Sequence, residues 1–388
     1  MNAKYIFKIT SALLLGAAIL CACEKQEPAS LPDYSGTPSG PSAPAYSASI
    51  YKWGLRELAK ANGLMIGAEY TYSEYAMDDS LRVVLKRDFE TVTFGNEMKQ
   101  DQIMGPGGEL TFYRADEMAG WADDCGLKLF GHTLAWHNQQ QSDYMNSLVA
   151  SAPNADSAAA LVQRAHKAWV DAMVKHFDVY GWDVVNEMLA DSGGWRSSSN
   201  TDLNGYHKFM WGDYYKGGTK EFVDSAFRNA RQALKRYGKT ADLYINDYSL
   251  EWLGSKLETI CQYAESNPDV DGIGTQMHIS ADMNRDNIKA MLERMVKTGK
   301  KVRISELDVA IGKADQAETI VYIFDQYLKI VPEAQRGGIT FWGVSDKNSW
   351  LGRSKEPLLY SYNYRRKDAY LKLHAYLLER SGLDKKSE

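Results

Sequence analysis

Cysteine is scarce in this 388-residue chain: there are four, and Cys21 and Cys23 sit at the end of an apolar leader, which leaves Cys125 and Cys261 far apart. That excludes a disulfide framework, and neither remaining cysteine has metal-ligand spacing, so both are expected to be buried apolar fillers on helices. Long basic runs are missing too. With 45 Lys and Arg against 50 Asp and Glu, the formal charge of -5 argues against a nucleic-acid partner. No internal repeat of solenoid length is evident. No Gly-rich phosphate turn follows the first strand-like run, where Gly67-Ala68-Glu69-Tyr70 stands instead, so a doubly wound nucleotide-binding sheet lacks its usual mark. Aromatics are plentiful, with 10 Trp and 24 Tyr, which suits stacking on flat apolar ligands and suits core packing equally well.

The amino terminus has a purpose of its own. Lys4 and Lys8 precede an apolar run over 9–20, too short to span a bilayer and laid out like a secretory signal. It ends in Leu20-Cys21-Ala22-Cys23, which resembles the bacterial lipobox. The resemblance implies that residues 1–22 are a lipoprotein signal and that Cys23 becomes the lipid-carrying first residue. Residues 23–48 are rich in Pro, Ser, Gly and Ala and read as a disordered tether. The expected setting is a membrane-anchored lipoprotein of the bacterial outer membrane, facing the periplasm or the cell surface.

Beyond the tether, strand-like and helix-like stretches alternate. Candidate strands cover 64–69, 89–95, 127–134, 182–187, 241–247, 272–279, 302–308 and 338–344, with amphipathic helices between them such as 157–177, 221–237, 287–297 and 317–328. Eight strands, each followed by helix, predict one (β/α)8 TIM barrel over 49–384. The polar residues then fall in one place. Asn96 and Lys99 follow the second strand, His132 closes the third, Asn186 and Glu187 the fourth, and Asn246 and Asp247 the fifth. Gln276 and His278 close the sixth, Glu306 and Asp308 the seventh, and Trp342 the eighth. That is the carboxyl-terminal face, where barrels of this kind build their active sites.

Two strand-terminal carboxylic acids suggest glycosidic bond cleavage, which needs a proton for the departing oxygen and a group to meet the cationic anomeric carbon. Glu306 can be hydrogen-bonded by His278 on the neighbouring strand, which would keep it ionised as a nucleophile. Glu187 would then carry the proton for the leaving group and release it when the charge on Glu306 is consumed. This chemistry requires no metal and no cofactor.

Several phrases now resemble one family. Gly131-His132-Thr133-Leu134-Ala135-Trp136-His137, Asp183-Val184-Val185-Asn186-Glu187, Asn246-Asp247-Tyr248, Gly274-Thr275-Gln276-Met277-His278 and Ile304-Ser305-Glu306-Leu307-Asp308 look like those of the family-ten glycoside hydrolases, endo-acting β-1,4-xylanases. Phe341-Trp342-Gly343-Val344 with Trp350 completes an ordered set from about Gly67 to Tyr370. The resemblance implies a retaining endo-1,4-β-xylanase, with Glu187 as acid/base and Glu306 as nucleophile. It implies that His278 and Asp308 support Glu306 and that Asn186 donates to the sugar 2-hydroxyl. It further implies that Asn96, Lys99, His132, Trp136, Gln139 and Gln276 hold xylose units on the glycone side, closed over by Trp342 and Trp350. Xylan and xylo-oligosaccharides would be the substrates and a monomer the working unit.

The sequence departs from the family in two instructive positions. Gly95 stands where a Glu is common, and Gln100 replaces the usual Trp after the Lys. The first change is expected to weaken a distal glycone subsite or to leave room for a substituted backbone. Two other functions remain open: a cellulase or mannanase on a related barrel, and a surface glycan-binding lipoprotein on a retired enzyme scaffold.

Overall fold

A computed structural model describes residues 52–199 and 209–383. Cys23 and the tether lie outside the described residues. Among the described residues nine strands follow in order: β1 (Ile66–Tyr70), β2 (Thr91–Phe94), β3 (Lys128–His132), β4 (Gly181–Asn186), β5 (Asp242–Asp247), β6 (Gly272–Thr275), β7 (His278–Ser280), β8 (Lys301–Ala310) and β9 (Arg336–Phe341). Every strand pairing is parallel: β1 to β6 pair in sequence order, β9 pairs with β1 and β8, and β8 pairs back to β6. The sheet is therefore a closed eight-stranded barrel, with β7 as a short extension beside β8.

All eight expected strands are present. The sixth differs from expectation, because the run over 272–279 breaks at Gln276 and Met277, where Met277 takes a positive φ of 62°. That kink turns Gln276 and His278 toward different partners. Buried parallel strands need apolar side chains on both faces, which is why they were readable as continuous runs. β4, β6 and β9 are buried along almost their whole length.

The surrounding helices carry local start and stop signals. Asn154 caps Ala155–His176 by accepting from the Ser157 amide, and Asp315 caps Gln316–Ile330 by accepting from Ala317 and Glu318. Gly238 ends Gly218–Tyr237 in the left-handed conformation that favours glycine. Cys261 is buried in the helix Ser255–Ser266 as expected. Cys125 departs from expectation: it is only half-buried and caps the helix Tyr113–Asp124 from outside, because the chain turns there into Gly126.

The barrel interior is not wholly apolar. Arg303 of β8 is 1% exposed, with its guanidinium carbon 3.5 Å from the centre of the Phe130 ring. Its Nη2 donates to Thr340 Oγ1 at 2.9 Å and Thr93 Oγ1 at 3.3 Å, and its Nη1 lies 3.8 Å from Asp183 Oδ2. A buried charge needs partners of this kind, and together they form the floor on which the site rests.

Candidate active site

Glu306 is 4% exposed and is gripped on both oxygens. Asn246 Nδ2 donates to Oε1 at 2.8 Å, and His278 Nε2 lies 3.2 Å from Oε2. The other ring nitrogen of His278, Nδ1, lies 2.8 Å from Asp308 Oδ2. Each nitrogen faces a carboxylate, so each is a donor and the ring is an imidazolium. Burial opposes that charge, but the bonds to Asp308 and Glu306 overcome it and push His278 up to about 10. For Glu306, burial works to raise the carboxyl. The His278 bond and the charges of His132, His278 and Lys99 outweigh it and hold the group below the usual carboxylate range. Trp350, 61% exposed, donates from Nε1 to Asp308 Oδ2 at 2.8 Å and sets its ring edge-on to His278.

Glu187 follows β4 in the left-handed region, with φ 56°. Its amide donates to Asn246 O at 2.9 Å, and its carbonyl accepts from Arg196 Nε at 3.0 Å, so the backbone is pinned from both sides. The carboxyl, partly exposed, accepts from Gln276 Nε2 at 2.9 Å and Asn186 Nδ2 at 3.3 Å. Asn186 Oδ1 in turn accepts from Asn246 Nδ2 at 2.9 Å. The two carboxyls thus share one hydrogen-bonded network: Glu187 to Asn186 to Asn246 to Glu306. Glu306 itself does not close its strand as expected, since β8 runs on to Ala310.

The remaining residues form the walls. His132 Nδ1 lies 2.9 Å from Asp183 Oδ2, and its ring meets Trp342 edge-on at 5.4 Å. Lys99 Nζ donates to Gln139 Oε1 at 2.7 Å and lies 4.8 Å from the centre of the Trp136 ring. Gln139 Nε2 passes the chain on to Asn96 Oδ1 at 3.1 Å. Burial lowers the Lys99 ammonium against the pull of Glu306, Glu69 and Glu187. All thirteen expected residues of the barrel therefore lie in two linked clusters, one around Glu306 and Glu187 and one around Lys99.

Sequence reasoning missed the groups that hold these in place. Asp183 orients His132, and Arg303 balances Asp183 from below. Lys256 pairs with Asp247 at 2.7 Å and sits on the Tyr248 ring at 3.3 Å. Burial still pushes Asp247 up to about 6 against that cation. For Asp183 and Arg303, charged residues inside strand-like runs were the available signal, since a barrel strand has no other reason to bury them. Gln100 is buried and accepts from the Gln141 amide at 3.0 Å, so it braces the loop that carries Gln139. The space beside Gly95 is not open: a Cβ built there would lie 1.8 Å from Glu69 Oε1.

The family profile of glycosyl hydrolase family 10 matches residues 54–376. The chain belongs to that family. Endo-1,4-beta-xylanase A of Cellvibrio japonicus is 29% identical over 345 residues, 79% of this chain and 54% of the relative. Endo-1,4-beta-xylanase A of Thermoanaerobacterium saccharolyticum is 30% identical over 73% of this chain and 24% of the relative. The chain thus spans from about a quarter to about half of the length of these two relatives. Among solved structures, xylanase 10B of Thermotoga petrophila in complex with xylobiose superposes with a TM-score of 0.71 at 30% identity, covering 84% of this chain and 98% of that one.

Proposed function

We propose that this family 10 protein is a retaining endo-1,4-β-xylanase that acts as a monomer on xylan and xylo-oligosaccharides. One observation carries the reading: two carboxyls at β4 and β8 in one network have opposite surroundings, Glu306 under an imidazolium and Glu187 on neutral amides. Glu306, held as an anion, attacks the anomeric carbon while Glu187 gives its proton to the departing glycosidic oxygen. The bond to the leaving sugar breaks and a glycosyl ester forms on Glu306. Glu187, now a carboxylate, takes a proton from water, whose oxygen displaces Glu306 and restores both groups. His278 and Asp308 keep Glu306 oriented throughout. Trp342 and Trp350 close over a ring that has no hydroxymethyl arm, which favours xylose over glucose.

Release of reducing ends from xylan, cellulose and mannan, assayed side by side with Glu306→Ala, tests this. Activity on xylan that vanishes in the variant supports it. Preference for cellulose or mannan points to the related hydrolases, and binding without turnover points to a glycan-binding scaffold. We further propose that Cys23 carries a lipid that tethers the enzyme to the bacterial outer membrane, facing the periplasm or the cell surface. Palmitate labelling of the wild type but not of Cys23→Ala is the expected result, and equal labelling of both rules it out.

A further inference from the structure

Glu69 is 7% exposed, yet its carboxyl makes no hydrogen bond or ion pair with any described residue. Buried carboxyls are almost always bonded, so this one calls for a reason. Its acidic neighbours are occupied. Glu74 Oε2 accepts from the Thr71 amide at 2.8 Å, and Glu97 Oε1 accepts from the Tyr72 amide at 2.7 Å. Both therefore brace the loop after β1, and Glu69 alone has no such task.

The surroundings make room for it. β1 lies between β2 and β9, and each neighbour offers a glycine beside the Glu69 carboxyl. A Cβ on Gly95 would sit 1.8 Å from Oε1, and one on Gly343, whose φ is 124°, would sit 3.9 Å from Oε2. A glycine at or just past the end of a buried strand often marks a close approach by something else. Here that something is an acid side chain at the carboxyl-terminal mouth, within electrostatic reach of Lys99 and Glu306. β1 is separated from β8, which carries Glu306, by β9 alone. That is two strand spacings, about 10 Å along the wall. That offset from Glu306 along the wall favours the next ring over the one that reacts.

We propose that Glu69, whose carboxyl fills the space left by the missing side chains of Gly95 and Gly343, binds a hydroxyl of the second sugar from the scissile bond on the glycone side. This rests on the xylanase reading above. The substitution at Gly95 then does not weaken the distal glycone subsite, because the carboxyl is supplied by the neighbouring strand. Burial, with the charges of Glu74, Glu97 and Glu306 acting against Lys99, holds Glu69 well above the ordinary carboxylate range. When protonated, it can donate to a sugar hydroxyl as well as accept from one.

The test compares an aryl β-xyloside, with one glycone ring, and an aryl β-xylobioside, with two. The readout is the gain in kcat/KM from the first to the second. In Glu69→Ala that gain is expected to fall about 10- to 100-fold, the size of one buried hydrogen bond to a carboxyl. Gly95→Ala keeps Glu69 but displaces its carboxyl, so it should lower the same ratio, and the double variant should be no worse than Glu69→Ala alone. A ratio within about twofold of wild type in Glu69→Ala, or additive losses in the double variant, overturns the inference while leaving the xylanase reading intact. A wild type inert on xylan and on both aryl substrates overturns the xylanase reading, and the inference with it.

Discussion

The two carboxyls at the barrel mouth are built in opposite ways. Glu306 is sunk in β8, inside a strand ten residues long, and is bonded to a charged ring that is itself bonded to Asp308. Glu187 stands one residue beyond β4, in a left-handed turn, with side-chain contacts only to the amides of Gln276 and Asn186 among the described residues. The first arrangement fixes a charge. The second fixes a position through neutral donors. The double displacement proposed above needs an anion and a proton donor, and one environment could not provide them together, because the cation that holds an anion also resists its protonation.

The comparison breaks first at Glu306. Glu306→Ala should lower kcat on xylan by about 10,000-fold or more, with folding intact by circular dichroism. Retained turnover would mean that this carboxyl is not the nucleophile. Next comes Glu187→Ala, expected to cost roughly 100- to 10,000-fold on xylan. An aryl substrate whose leaving group needs no proton should show a burst of phenol release, because its first step is spared. Equal losses on both substrates would show that the two roles have been assigned the wrong way round.

His278→Gln sharpens the contrast through pH. It should lower kcat/KM about 10- to 100-fold, since a hydrogen bond to a charged group is lost. It should also move the acid limb of the pH profile toward neutrality, because Glu306 loses what holds its carboxyl low. Stability follows the histidine. His278 binds its proton more tightly folded than unfolded, so its contribution is complete below about pH 6.5. That contribution is lost as pH rises toward about 10. The difference in Tm between wild type and variant should therefore narrow over that window, and a constant difference would argue that the ring is neutral. The smallest effect is expected at Gln276→Ala, which removes one neutral donor from Glu187 and should cost about 10-fold in kcat/KM on xylan. A larger loss there than in His278→Gln would invert the comparison.

Much of this site was legible because its residues close strands. A buried parallel strand is an apolar run, and a polar group that ends or interrupts it stands out, as Glu187 does after Asp183-Val184-Val185-Asn186 and Glu306 does within Ile304-Ser305-Glu306-Leu307-Asp308. The bond between His278 and Glu306 could be expected for the same reason. What was not legible lies inside the runs or across them. Arg303 and Asp183 alternate with apolar residues, and nothing local says that they face the barrel axis and meet there. The break at Met277 could not be read either, since Thr275-Gln276-Met277-His278 continues a strand-like pattern. Gly95 looked like a lost carboxylate, because the residue that fills its space comes from another strand 26 positions earlier.

The sequence by itself determined the barrel and the polar residues near its strand ends, because buried strands are continuous apolar runs and helix faces recur every three to four residues; Trp136, Gln139 and Trp350 came from the family resemblance. Tertiary structure alone decided which acid is clamped by a cation and which is left on amides, and that Glu69 occupies the place beside Gly95. Those outcomes depend on distances between strands remote in sequence, and a charge is set by what stands within a few ångströms of it in space.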